Sequence, residues 1–233
     1  MRLVNPTVDE IVFHIPEGYS SVEAWLERCG RTCYKSEDKI TEESAPKFVR
    51  MIRKRGHHAM LEHAMASARI IADRGLTHEL VRHRIASFAQ ESTRYCNYSK
   101  GKFGGEITVV AQPGLEITLG HKRTIYPEAT RVWMEAMESA EHSYLKLLEL
   151  GIKPEIARSV LPIAVKSEIV VSANLREWMH IFDMRCDTPA HPIIRGCALN
   201  ILSAFNDRLP CMYEGHAERF LSLDVISPEK PLP

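Results

Sequence analysis

The chain has 233 residues, enough to bury a substantial apolar core, and a single domain spanning 1–233 is expected. Thirty basic residues balance thirty acidic ones, which excludes the long-range field of a general nucleic-acid or membrane-surface binder, so any anion site must be local. No apolar run reaches bilayer length and the opening MRLVNPTVDEIVFHIP lacks a signal-peptide core, so a soluble, cytoplasmic protein with no membrane partner is expected.

In chain order, three-and-four apolar spacing predicts helices over 20–34 and 43–55, and ARIIAD (68–73) reads as a strand. A helix over 75–87 follows, then a second strand in EITVVA (106–111). The longest periodic segment runs from Ile125 to Leu150, with Ala129, Val132, Trp133, Ala136, Met137, Ala140, Tyr144, Leu147 and Leu148 on one stripe and Gly151 as its stop; it predicts a core-facing helix without chemistry. SEIVVSA (167–173) is a third strand, and helices are expected over 174–185 and 192–208. Strands and helices do not alternate regularly, and no Gly-rich dinucleotide fingerprint is present. An α+β fold is therefore expected in place of a doubly wound parallel sheet.

Chemistry concentrates in RHRIASFAQESTRYCNY (82–98), where guanidinium forks and hydroxyls suit a phosphate-bearing ligand and tyrosines suit a flat ring. On a helix, Arg82, His83 and Arg84 would point about 100° apart and serve different directions. If Ser92 to Tyr95 is extended, Ser92 and Arg94 share a face while Thr93 and Tyr95 take the other. A second basic group comprises Arg158 together with Asn174, Arg176, His180 and Arg185 in NLREWMHIFDMR; Asn174 is a natural helix cap, and Arg176 and His180 lie one turn apart. For either group the bland alternative is a solvated basic helix face.

Two other chemistries compete. GHHAMLEH brings His58 and Glu62 to helical spacing beside His57 and His63, but HExxH order is absent and a third ligand would have to come from His78, His83 or His191; no metal is expected. Six cysteines show no CxxC pair, and Cys211, with His216 as an imaginable base, reads as a buried structural thiol.

The run RHR, seven residues, then Ser-Thr-Arg-Tyr is similar to the signature of flavin-dependent thymidylate synthases, and GRTCYKSE, GHHAMLEH, EIARSVLP and NLREWMHIFDMR follow in that family's order over nearly the whole chain. The resemblance implies a thymidylate synthase-complementing type fold, an α+β domain with a mostly antiparallel sheet and packed helices. It also implies a homotetrameric enzyme that methylates C5 of dUMP with methylenetetrahydrofolate as carbon donor and NADPH as reductant, through FAD. Carried over by position, Ala59 (through its backbone), Arg82, His83, Arg84, Gln90, Asn174, Arg176 and His180 would contact FAD. Glu79, Arg82, Gln90, Glu91, Ser92, Thr93, Arg94, Arg158 and Arg185 would line the dUMP site, with Ser92 and Arg94 on the phosphate. Sites would be shared between subunits, Ser92 to Arg94 coming from one chain and Arg158 with Arg185 from another. Arg185, at the uracil edge, would be the catalytic group, since a cation there stabilises the anionic ring. The chain departs from the family pattern at AHPIIR, where AQxEIR is usual, so that His191 and Ile193 replace Gln and Glu, and at Ala59, where a small hydroxyl residue is usual.

Overall fold

A computed structural model describes residues 1–115 and 127–222. Its chain order is β1 (Arg2–Val4), β2 (Thr7–His14), α1 (Val22–Tyr34), α2 (Ser44–Lys54), β3 (Met65–Asp73), α3 (Arg74–Leu80), β4 (Ala86–Gln90) and β5 (Thr108–Val110). Then come α4 (Pro127–Glu149), α5 (Pro154–Ala157), β6 (Lys166–Asn174), α6 (Leu175–Arg185), α7 (Pro192–Arg208) and α8 (Pro210–Phe220). A 3-10 segment, His58–His63, enters β3.

Four strands pair antiparallel in the order β2-β3-β6-β4, and β1 pairs with β5 in a separate parallel ribbon, as the expected α+β class requires. The long central strands alternate strictly, so Ala66, Ala68, Ile70 and Ala72 of β3 and Ser167, Ile169, Val171 and Ala173 of β6 share the covered face. Small residues on that face admit close helices: Trp178 on α6 reaches down to donate from Nε1 to the Ala66 carbonyl at 3.0 Å. Around it Phe182, Phe205 and Tyr213 interlock with ring centroids 5.0–5.7 Å apart, joining α6, α7 and α8 into the main core. On the opposite flank α1 and α2 close in; the thiol of Cys33, the one fully exposed cysteine, lies 3.8 Å from Met60 Sδ.

Several expectations needed correction. Of the long helix, Ile125 and Tyr126 lie outside the described residues, and the described part buries only Met137 and Tyr144 fully, leaving Val132 at 54% exposure. It covers a smaller second core with Ile107, Val109 and Val165, so it is half solvent-facing. Its stop is as expected: Gly151 takes a left-handed φ of 85°, and the Gly151 and Ile152 amides bond back to Leu148 and Leu147. The helix expected over 75–87 ends at Leu80, because a tight turn closes on Thr77, Glu79 and Leu80 and the chain then pairs with β6 as β4. Ser92–Tyr95 is a turn instead of an extended run, with the Tyr95 and Cys96 amides both bonded to the Ser92 carbonyl.

Candidate active site

Caps aim the functional side chains. Asp73 ends β3 and accepts from the Leu76 amide at 2.8 Å, starting α3, which delivers Glu79 and, past its end, Arg82 to Arg84. Asn174 ends β6 and accepts from the Glu177 amide at 2.8 Å, starting α6, which carries Arg176, His180 and Arg185. Because β3 and β6 run antiparallel, α3 and α6 start at opposite ends of the sheet, and it is the last residue of α6, Arg185, that meets Glu79 and the turn after α3.

Beside them lie two cavities that share His180 as a wall residue. One, of about 540 Å³, is lined by His78, Glu79, Arg82, His83, His180, Met184 and Arg185. The other, of about 510 Å³, is lined by His58, Glu62, Ile85, Asn174, Arg176, Glu177, Met179, His180 and Asp183. Seven of the residues expected from the sequence therefore converge, and Ala59 sits exposed in the His58–His63 segment beside the second cavity. Arg82 and Arg84 are exposed while His83 turns inward at 5% exposure, so the three do diverge, through a turn and not a helix.

Arg185 is held on two sides. Its Nη1 donates to Glu79 Oε2 and its Nη2 to the Glu79 carbonyl, each at 2.9 Å, and its Nε donates to His83 Nε2 at 3.0 Å. Burial, then the Arg185 charge, then His180 lower the His83 pKa to about 4, so the ring is neutral at pH 7. Glu177, 7% exposed, lies 3.5 Å from His83 Nδ1, and burial raises its carboxyl above the usual range. His83, Glu177 and His180 form a trio of metal-type ligand atoms within 4.8 Å, a different set from the His58/Glu62 pair. The Arg185 bond occupies the His83 Nε2 lone pair, which argues against a metal centre there. Glu62 instead pairs with Arg176.

Gln90, Glu91, Ser92, Thr93, Arg94 and Arg158 form a second group that lines neither cavity. Gln90 Nε2 donates to Thr77 Oγ1 (2.9 Å) and Ser167 Oγ (3.2 Å); Glu91 pairs with Lys166 at 2.8 Å and accepts from the Tyr98 hydroxyl at 3.2 Å. Ser92 Oγ accepts from the Arg94 amide at 3.4 Å, and Arg158 Nη1 donates to Thr93 Oγ1 at 3.1 Å. Arg158 therefore stands with Thr93 of its own chain, whereas the sequence reading had grouped it with Arg185. At the AHPIIR departure, Ile193 is buried in the main core and His191 caps α7, accepting from the Ile193 amide at 3.4 Å. Cys211 is buried and its thiol is pushed up to about 12 by burial, which leaves no nucleophile. Sequence reasoning missed Glu177, Met179 and Asp183; only the Asn174-x-x-Glu177 spacing of a helix start could have drawn attention to the first.

Comparison with known proteins gives the family. The profile of the family described as thymidylate synthase complementing protein matches residues 18–211. A flavin-dependent thymidylate synthase from Corynebacterium glutamicum is 34% identical over 209 residues, covering 82% of this chain and 78% of that protein. One from Geobacter sulfurreducens is 32% identical over 198 residues (82% and 80% covered), and one from Mycobacterium marinum is 35% identical over 198 residues (77% and 74%). With the RHR turn, the Asn174-capped helix and the pinned Arg185 all within that span, the chain belongs to the thymidylate synthase complementing family.

Proposed function

We propose that this chain is an FAD-dependent thymidylate synthase that reductively methylates dUMP to dTMP, using methylenetetrahydrofolate as carbon donor and NADPH as reductant. It acts as a single domain in a cytoplasmic homotetramer with shared sites. The observation that carries the reading is Arg185, whose guanidinium is fixed by Glu79 and His83 at the wall of a cavity and keeps two N–H donors uncommitted by those bonds. A cation so placed stabilises negative charge on a pyrimidine edge, which makes C5 nucleophilic.

The neighbouring cavity fits a flavin by its chemistry. Ile85, 69% exposed at its rim, and Met179 offer apolar surface to a ring system, while Asn174, Arg176 and His180 supply polar groups for its edges and phosphates. When bound, reduced FAD supplies the hydride that completes the methyl group. Arg82 and Glu79 approach the nucleotide from the Arg185 side. Ser92, Arg94, Thr93 and Arg158 present hydroxyls and guanidinium groups suited to its phosphate, and Gln90 and Glu91 stand at the base of that group. These phosphate-suited groups line neither the Arg185 cavity nor its neighbour, which supports a site completed by two chains.

Purified protein should show a visible flavin spectrum that NADPH bleaches, and should form dTMP from dUMP. Arg185→Ala should retain the flavin and lose methylation by about 10² or more. A protein unable to take up FAD, or an Arg185→Ala variant with wild-type turnover, rejects the reading.

A further inference from the structure

We infer that His83 and Glu177 form a positioning chain for Arg185: the imidazole is wedged between Glu177 and Arg185 and fixes the guanidinium from its Nε side. The inference rests on the reading that Arg185 acts on the pyrimidine, and it gives the His83 side chain a role apart from the cofactor contact that the resemblance implies.

The chemistry of the donors fixes the arrangement. A guanidinium keeps its Nε proton throughout the accessible pH range, so the His83 Nε2 facing it at 3.0 Å presents its lone pair. The single ring proton then resides on Nδ1, which points at Glu177 Oε1, 3.5 Å away. Nε2 is thereby committed while Nδ1 lies beside the Glu177 carboxyl, and the ring is 5% exposed with its side against His180 at 5.5 Å between centroids. Glu177 and Arg185 stand at opposite ends of α6, about 12 Å apart along the axis at 1.5 Å per residue. An imidazole delivered by the turn after α3 spans them and ties the RHR segment to the helix that carries the catalytic cation. Glu177 is itself anchored, since its amide closes the Asn174 cap. Glu79 holds the two Nη atoms from one side, and His83 is the acceptor that holds Nε–H from the other. Loss of that acceptor leaves Nε–H without its partner and the guanidinium held by Glu79 alone.

The test compares His83→Leu, His83→Gln and Glu177→Met with wild type in three measurements: flavin content, NADPH oxidation, and kcat and KM for dUMP methylation. Removing the acceptor in His83→Leu should lower kcat by about 10 to 100-fold, the usual consequence of a misplaced catalytic group, with flavin content and NADPH oxidation unchanged. His83→Gln, which restores an oxygen acceptor near the Nε2 position, should recover most of the loss. Glu177→Met, of similar volume, should lower kcat in the same sense and less steeply, and it decides the matter with His83→Gln if His83→Leu does not fold. The proposal is overturned by wild-type kcat in both His83→Leu and Glu177→Met, by no recovery in His83→Gln, or by flavin loss from both His83 variants, which would make His83 a cofactor contact. A wild-type protein that forms no dTMP removes the functional reading and this inference together; active wild type with unaffected variants removes this inference alone.

Discussion

Ser92 accepts a backbone hydrogen bond from Arg94 and has no base positioned against it, so its hydroxyl is suited to holding a phosphate and not to attacking carbon. Ser92→Ala should raise KM for dUMP roughly tenfold, the equivalent of one hydrogen bond to a charged group, while kcat at saturation stays near wild type. Abolished turnover with intact dUMP binding would contradict this. His83 makes a second prediction, for stability against pH. Its folded pKa, about 4, lies below the ordinary 6.5, so between those values the unfolded chain binds the extra proton and stability falls as pH falls. The contribution lost between pH 7.5 and 5 is about 2 kcal/mol. His216, lowered chiefly by burial, acts in the same direction, and Glu177, raised by burial, opposes both at the acid end. Urea denaturation at the two pH values should therefore show a smaller pH-dependent loss in His83→Gln than in wild type; equal losses would remove His83 from the linkage. Residue chemistry was legible in the sequence where a type announces its use, as with Asn174 at a cap. It was not legible where one residue acts through another: nothing in the spacing of Glu177, His83 and Arg185 shows that an imidazole from one segment enters between two residues of another.

At the level of elements, α1 and α2 approach so closely that a Cβ on Gly30 would fall 2.4 Å from Phe48 Cε1. Gly30 is helical, and Ala in its place would gain about 1 kcal/mol of helix propensity. Phe48 is 5% exposed and carries the Arg31 guanidinium 4.6 Å over its ring, so it has little room to yield, and overpacking of this kind costs about 1–3 kcal/mol. Clash should win: Gly30→Ala is expected to lower the melting temperature by about 2–6 °C, and a raised one would show that the helices separate freely. The same scale explains what periodicity could predict. The helices at 22–34, 44–54, 175–185 and 192–208 and the strands at 65–73 and 166–174 match expectation within a few residues, because each buries one continuous face. Strand β4 was missed: the helical reading over 75–87 ran into its first two residues, and only pairing with β6 decides for strand. The short β1, β2 and the helix α8 were missed because their burial comes from distant partners: β2 leans on Phe205 through Phe13, and α8 on Phe182 through Tyr213.

For the whole molecule, the division between the Arg94–Arg158 surface and the Arg185 cavity has a genetic signature. If Arg94→Ala and Arg185→Ala chains are each inactive, co-expressed mixtures should regain activity, because about a quarter of sites in randomly mixed closed assemblies draw an intact Arg94 and an intact Arg185 from different chains. Mixed assemblies verified by mass with activity no higher than either parent would exclude two-chain sites. Edges of the sheet are managed within the chain: β2 breaks register between Val8 and Glu10 and carries Asp9, paired with Arg69, which discourages strand addition by other molecules. The contact between Cys33 and Met60 reaches further still. Three of the six thiols are fully buried, two are partly covered and Cys33 is open, so a mild maleimide dye reacts first at the end of α1 without any engineered residue. That dye then rests against the His58–His63 segment, whose His58 and Glu62 line the cavity shared with Arg176 and Asn174, which makes a native side chain into an optical gauge of whatever fills it.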